Sequence, residues 1–251
     1  MLELFDLDEF ATRFADTPGI AALKPLIRAA ISMSSVRNDL RRAREMMDAC
    51  KSLSGAMQVS AGQGEPIRRD QAATVQALFA QAVLLYTRAT HSSGKGRNKL
   101  QITAHLGEEE RAVHNRMTEL RDRYLAHFGD ASGWEAHRAV LALDIDGAKM
   151  ALSYPHSSAY IQVADAVAFE RLLSVAVPIA QTQSDKISLR LNLALNELFN
   201  TDPELLERLR CTSFDPASFF EADEVQPYLN SVGTLDPDAP TQPRIGKVQR
   251  P

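Results

Sequence analysis

Residues 108–128 read EEERAVHNRMTELRDRYLAHF and are followed by Gly129. Apolar side chains recur in this stretch at spacings of three and four residues, namely Val113, Met117, Leu120 and Tyr124. That spacing places them on one face of an α-helix. Three glutamates at the start complement the positive end of the helix dipole, and a glycine is a common stop. The stretch therefore predicts an amphipathic helix from Glu108 to Phe128 that packs against other helices.

The end of this predicted helix carries Arg121, Asp122 and His127. Six residues of an ideal α-helix rotate by about 600°, so Arg121 and His127 point about 120° apart and cannot hold one phosphate oxygen unaided. Two arrangements would bring them together. Either the helix unwinds near Gly129, or a symmetry-related copy supplies the missing group across a two-fold interface. We favour the second arrangement.

Arginine and aspartate followed by four residues and histidine resemble the signature of the HEPN superfamily, the higher eukaryotes and prokaryotes nucleotide-binding domains. The surroundings are also similar to an uncharacterised, abortive-infection-like bacterial branch of that superfamily. They comprise YTRA at residues 86–89, closing a helix, and the basic loop SSGKGR at residues 92–97. The likeness covers about residues 68–155. It implies a helical bundle that dimerises, brings two Arg/His motifs into one cleft and, in many members, cleaves RNA without a metal. Other members have lost catalysis and bind nucleotides or proteins.

The resemblance assigns chemical roles to the motif residues. His127 would remove the proton from an RNA 2'-hydroxyl, Arg121 would stabilise the charge on the phosphorane, and Asp122 would orient His127 or the partner motif. A guanidinium suits this role because it stays cationic and its donors match phosphate oxygens. Further cations would hold the RNA backbone, namely Arg88, Lys95, Arg97, Lys99 and Arg123. No metal and no cofactor are expected.

Two other interpretations use the same residues. In the first, the chain is a noncatalytic dimeric module that binds RNA, a nucleotide or a protein. In the second, His127 is a satisfied core residue and Arg121 with Asp122 is a solvated surface. A role in phage defence or in a toxin system, with an antitoxin or regulatory protein as partner, follows only from the resemblance.

The composition is that of an ordinary soluble globular protein. The chain has 251 residues, a formal net charge of −4 and 45% hydrophobic residues, which argues against a nonspecific coat on nucleic acid. Cys50 and Cys211 form no metal-type or redox-type pair, so we expect two unbridged thiols. The loop sequence GKG at residues 94–96 lacks the spacing of a P-loop. The acidic start lacks the pattern of a signal peptide, so we expect a cytoplasmic protein without a membrane span.

The whole chain predicts a mainly α fold, a helical bundle of HEPN type with a small β-hairpin after the motif helix and an irregular C-terminal tail. Residues 1–60 form N-terminal helices that pack on the bundle, residues 61–212 form the bundle, and residues 213–251 form a proline-rich extended or disordered tail. The hairpin lies near residues 137–154, around a turn at Asp146-Gly147.

Local signals predict the individual helices. The expected segments are 6–15, 19–33, 36–53, 70–90 and 164–199. Ser35 is expected to cap the third segment, and glycine and proline at residues 61–66 indicate a linker. The last segment is expected to kink or break near Pro178, with Ser184 capping its second half.

Overall fold

A computed structural model shows that the protein is mainly helical, as predicted. It describes residues 3–64, 66, 68–92, 97–122 and 163–233, together with the strands of residues 135–158. The α-helices are α1 (Leu7–Arg13), α2 (Pro18–Ala21), α3 (Leu23–Gly62), α4 (Arg69–Thr90), α5 (Glu108–Leu120), α6 (Val163–Thr201), α7 (Leu205–Arg210) and α8 (Ala222–Gly233). Short 3-10 helices span Thr103–His105 and Pro216–Ser218.

The chain divides into two compact units. The first unit comprises Met1–Ser35, Gly94–Asn98 and Gln181–Pro251, and the second comprises Val36–Ser93 and Lys99–Ala180. These units do not coincide with the predicted segments 1–60, 61–212 and 213–251. The physical reason is that α3 and α6 each contribute residues to both units, so the contacts do not follow chain order.

Helix α3 contradicts the predicted break at Ser35. Its residues on both sides of that position are buried, including Ile27, Met33, Val36 and Leu40. Serine competes with helical hydrogen bonds only weakly, and burial of a continuous apolar face outweighs that competition. The helix therefore runs unbroken to Gly62, where the predicted linker begins.

Helix α6 contradicts the predicted break at Pro178. Pro178 lies inside α6, and its side chain is exposed to solvent. Ala176 and Ala180 flank it and are fully buried, so packing on the opposite face offsets the lost helical hydrogen bond. Ser184 is buried within the same helix and does not cap a second segment.

In the first unit, backbone hydrogen bonds join the segment before α1 to the segment after α7. Asp6 caps α1 through its carboxylate, which accepts from the N–H of Asp8 at 2.9 Å. The N–H of Asp6 donates to the carbonyl of Thr212 at 2.8 Å, and that of Phe214 donates to Leu4 at 2.8 Å. The apolar core of this unit comprises Phe10, Ala11, Ile20, Leu23, Ile27, Leu205 and Leu209.

The predicted irregular tail is wrong over residues 222–233, which form α8. Two acidic residues in its first turn complement the helix dipole, and Tyr228 packs on aromatic rings that precede the helix. The ring centroids of Phe220 and Tyr228 lie 4.7 Å apart, and those of Phe214 and Tyr228 lie 6.1 Å apart. These contacts order a segment whose proline content alone suggested no structure. Residues 234–251 lie outside the described part.

The predicted β-hairpin is confirmed. Strands β2 (Val140–Asp144) and β3 (Lys149–Ser153) pair antiparallel, with Asp144 opposite Lys149. The flanking strands β1 (Glu135–His137) and β4 (His156–Ser158) also pair antiparallel and form a second two-stranded sheet. The Asp146-Gly147 turn itself lies outside the described residues.

The core of the second unit forms where α4 meets α6. Phe169 of α6 lies between Phe79 and Tyr86 of α4, with ring centroids 5.8 and 5.3 Å apart in edge-to-face geometry, a favourable arrangement for aromatic rings. Arg116 of α5 binds the largely buried carboxylate of Asp165 at the start of α6, at 2.9 Å. These contacts hold α4 and α5 against α6.

One helical stretch in the described residues could cross a membrane by length and composition. Within Pro18–Gly62, an 18-residue window has a mean hydropathy of 1.2 and is 33% buried in the protein. Core helices of soluble proteins meet the same criterion, so this stretch is weak evidence for a span. The cytoplasmic location stays a prediction.

Candidate functional site

A polar cleft lies beside the described half of the Arg/His motif. Its volume is about 500 Å³, within the usual range of ligand sites. Its lining comes from the end of α4 and from one face of α5, and comprises His91, His114, Asn115, Thr118, Glu119 and Asp122. We call this site the motif cleft.

Asp122 lies between a guanidinium and an imidazole at the rim of the motif cleft. Its Oδ1 accepts from Nη1 of Arg121 at 2.5 Å, and its Oδ2 lies 3.8 Å from Nε2 of His91. The side chains of Asp122 and His91 are each 43% exposed, and that of Arg121 is 32% exposed. All three groups can therefore reach a ligand while they remain in contact with one another.

Arg121 and Asp122 form the last described part of the motif helix, and Arg121 has φ −61° and ψ −49° with its N–H donating to the carbonyl of Met117. Helix α5 ends at Leu120, which is buried, and the next two residues continue as a π-helical turn. Such turns occur frequently at functional sites.

A buried hydrogen bond joins α4 to α5 at the wall of the cleft. The hydroxyl of Tyr86 and Nδ1 of His114 lie 2.8 Å apart, and both residues are buried. Burial lowers the pKa of His114, and the neighbouring His91 and Lys99 lower it further. Burial also raises the pKa of Tyr86 far above its ordinary value. The cleft wall thus presents a neutral imidazole held by a protonated phenol.

Three predicted site residues lie outside the described residues: Lys95, Arg123 and His127. Their predicted roles stay predictions. Of the described motif residues, Asp122 lines the motif cleft, and Arg121 donates a hydrogen bond to it.

Arg88 has a different partner from the one expected. Its Nε donates to Oδ2 of Asp39 on α3 at 2.8 Å, and its Nη2 donates to Oδ1 of the same carboxylate. The carboxylate of Asp39 is 4% exposed, whereas the side chain of Arg88 is 54% exposed. A two-pronged pair with a buried carboxylate makes Arg88 a link between α3 and α4, and the arginine does not line the motif cleft.

The two remaining predicted phosphate ligands differ in position. Lys99 belongs to the second unit and is close enough to His114 to lower its pKa, although it does not line the cleft. Arg97 is partly buried and belongs to the first unit. Arg121 is in direct contact with the cleft-lining side chain of Asp122.

The motif search missed His91, His114 and Tyr86. His114 precedes Arg121 by seven residues, which is two turns of one helix, so both lie on the same ridge. That spacing is a signal in the sequence, although it does not indicate burial. His91 is the first residue after α4, and its contact with Asp122 depends on how α4 and α5 pack.

Comparisons of the chain with protein-family models, with curated proteins and with solved structures find no match. The resemblance to the HEPN superfamily therefore rests on the motif residues themselves and stays a prediction. In the part of the chain that is described, no three His, Cys, Asp or Glu side chains are grouped closely enough to hold a metal ion.

The motif cleft combines three kinds of chemical group. A guanidinium can bind a phosphate through two parallel hydrogen bonds. The imidazole nitrogens can donate or accept hydrogen bonds, and a carboxylate can orient both a guanidinium and an imidazole. Asn115 and Thr118 add neutral donors and acceptors of the kind that read a sugar or a base.

Proposed function

We propose that this protein is a metal-independent endoribonuclease of HEPN type. The observation that carries the proposal is the contact of Asp122 with both Arg121 and His91 at the rim of a cleft that His114 also lines. A guanidinium can stabilise charge on a phosphate, and an imidazole can act as a general acid or base, so these groups suit phosphoryl transfer. The mainly helical fold is compatible with the proposal.

The three motif residues His127, Arg121 and Asp122 each have a role in the proposed reaction. His127 takes the proton of the RNA 2'-hydroxyl while its oxygen attacks the adjacent phosphorus. The bond from phosphorus to the 5'-oxygen breaks, and a general acid protonates that oxygen. Arg121 stabilises the charge that builds up on the phosphorus oxygens, and Asp122 holds Arg121 in place. The products are a 2',3'-cyclic phosphate and a 5'-hydroxyl.

The proposal includes a homodimer. On a single α-helix Arg121 and His127 would diverge, so a second copy supplies the complementary half of the site and its histidine serves as general acid. Two copies of the π-turn at residues 121 and 122 would then face each other across the two-fold axis.

The test uses the full chain and a labelled single-stranded RNA in excess chelator. We expect cleavage that leaves 2',3'-cyclic phosphate ends. His127→Ala should remove nearly all cleavage, and Arg121→Ala should lower the rate by about 10²–10³-fold. Arg111→Ala is the matched control, because Arg111 lies on α5 and binds backbone carbonyls away from the cleft.

Circular dichroism would establish that each variant keeps the fold. Full cleavage by a folded His127→Ala variant would contradict the assignment. Sedimentation across protein concentrations would test the dimer separately, because a strictly monomeric protein that still cleaves would contradict only the composite site.

A second candidate is a noncatalytic module that binds RNA or a nucleotide. It is favoured by Glu119 and Asp122, whose carboxylates lie in the cleft and would repel a second phosphate while accepting hydrogen bonds from a base. Saturable binding of a nucleotide with no turnover, under varied salt and pH, would support the module over the enzyme.

A further inference from the structure

A second cavity lies in the second unit, and its walls are apolar. It has a volume of about 390 Å³ and is formed by α3, α4 and α6. Its lining includes Met47, Cys50, Ser54, Gly55, Val75, Phe79, Ala166 and Val167, together with the polar side chains of Lys51, Gln58 and Glu170. We call it the apolar pocket. Nothing in the Arg/His motif requires it.

The walls of the apolar pocket are built to leave space. Gly55 lies inside α3, and a Cβ atom at this position would contact no atom within 4 Å. Glycine inside a helix is unfavourable relative to alanine, so packing does not explain its presence here. The side chains of Ser54 and Ala166 are small and occupy little of the cavity, whereas Phe79 supplies an aromatic surface. The small side chains at Ser54, Gly55 and Ala166 therefore leave space beside Phe79 in the cavity.

The polar groups of the pocket are neutral or neutralised. At the rim Nζ of Lys51 lies 3.0 Å from Oε1 of Glu170, so their charges cancel. The thiol of Cys50 donates to the carbonyl of Val75 at 3.4 Å, and burial raises its pKa, so it stays a thiol. A charged ligand would have to break the ion pair or leave its charge in an apolar site.

We propose that the apolar pocket binds an uncharged, largely aromatic or aliphatic small molecule. Phe79 and Met47 contact its apolar body, because a thioether adapts to irregular shapes and an aromatic ring offers a flat surface. Ser54 supplies one hydrogen bond to a polar group of the ligand near the rim. This site is separate from the motif cleft and does not rest on the proposed ribonuclease activity.

Two fluorescent probes test the proposal on the full chain. N-phenyl-1-naphthylamine is uncharged, and 8-anilinonaphthalene-1-sulfonate shares its ring system but carries a sulfonate. We expect saturable binding of the uncharged probe at one molecule per chain, at least tenfold tighter than binding of the sulfonate. Binding that does not saturate, or tighter binding of the sulfonate, would overturn the proposal.

Variants locate the binding site. Gly55→Leu should fill the pocket and weaken binding of N-phenyl-1-naphthylamine at least tenfold. Gly62→Leu is the matched control, because Gly62 is also an exposed glycine of α3 with no atom within 4 Å of a Cβ, and it does not line the pocket. Ala166→Leu fills the pocket from the opposite wall and serves if Gly55→Leu does not fold. Equal binding by the wild type and a folded pocket variant would contradict the proposal.

The two thiols give a measurement that needs no variant. Cys211 is exposed and Cys50 is buried, so a thiol reagent should react in a fast and a slow phase. Bound N-phenyl-1-naphthylamine should slow the second phase at least threefold and leave the first unchanged. An unchanged slow phase at saturating probe would place the probe elsewhere and overturn the proposal.

Discussion

The motif cleft and the apolar pocket lie in the same compact unit and share helix α4, yet they are built on opposite principles. In the motif cleft, polar groups are exposed and held by one another, as Asp122 holds Arg121. In the apolar pocket, the charges cancel at the rim and the interior is left to small and apolar side chains. The first arrangement suits an ionic ligand and proton transfer, whereas the second suits an uncharged ligand.

Helix α4 connects the two sites, so loosening it should disturb both. Arg88→Ala removes the partner that holds the buried carboxylate of Asp39. We expect the free energy of unfolding to fall by about 2–3 kcal/mol, measured by urea denaturation. Because Arg88 links α3 to α4, probe binding in the apolar pocket should also weaken.

Arg41→Ala provides the comparison for that variant. Arg41 also lies on α3, but its pair with Glu45 is exposed on both sides, so the loss should stay within about 0.5 kcal/mol. Equal stability of the two variants would mean that the Asp39 pair contributes no more than a surface ion pair.

A smaller change should separate the two sites. Tyr86→Phe removes only the hydroxyl that bonds to Nδ1 of His114, and it should lower the free energy of unfolding by about 1–2 kcal/mol. The motif cleft should be affected and the apolar pocket should not. In a double-mutant cycle with His114→Gln, additive losses would show that the two side chains do not interact.

A small substitution in the apolar pocket should raise the free energy of unfolding, whereas the preceding variants lower it. Gly55→Ala removes backbone freedom from the unfolded chain and meets no atom in the folded one. We expect the free energy of unfolding to rise by about 0.5–1 kcal/mol in urea denaturation. A loss of stability would mean that Gly55 is needed by the backbone itself, which would weaken its interpretation as a pocket residue.

The smallest effect is expected from pH. The pKa of His114 is lowered in the folded protein below its ordinary value of 6.5, so the unfolded chain takes up the proton first as pH falls. Stability should therefore decrease below about pH 6.5, down to the lower folded-state pKa. The decrease should be modest, because a protonated imidazole can still donate to Tyr86. Urea midpoints between pH 8 and pH 5 should decrease less in His114→Gln than in the wild type, and equal slopes would contradict this prediction.

The sequence predicted well where one helix carries its own apolar face. Helix α4 was expected over residues 70–90 and occupies Arg69–Thr90, because Phe79, Ala82 and Tyr86 recur at helical spacing and are buried. The start of α5 and the hairpin were predictable for the same reason. A local sequence pattern is sufficient to predict a helix when the neighbouring elements do no more than bury its apolar face.

The sequence predicted poorly where the partner is distant. Arg88 was interpreted as a phosphate ligand, yet its partner Asp39 lies 49 residues earlier, and no local pattern connects the two. The apolar pocket was missed because its lining residues come from three helices. Part of its space exists because Gly55 has no side chain, and no local sequence pattern reveals such a space. The continuity of α3 was missed because serine is a weak signal against a buried face. The break expected in α6 did not occur because burial of Ala176 and Ala180 offsets the cost of Pro178.

The pairing of residues 4–6 with residues 212–214 has a consequence for how the protein is made. Glu3 and Arg210, which also pair, are 207 residues apart. On a ribosome the first of these segments emerges long before its partner has been synthesised, and contacts of such long sequence separation form late. The first unit therefore completes its fold only after residues 212–214 have left the ribosome, and until then the nascent chain exposes the Phe10 side of α1.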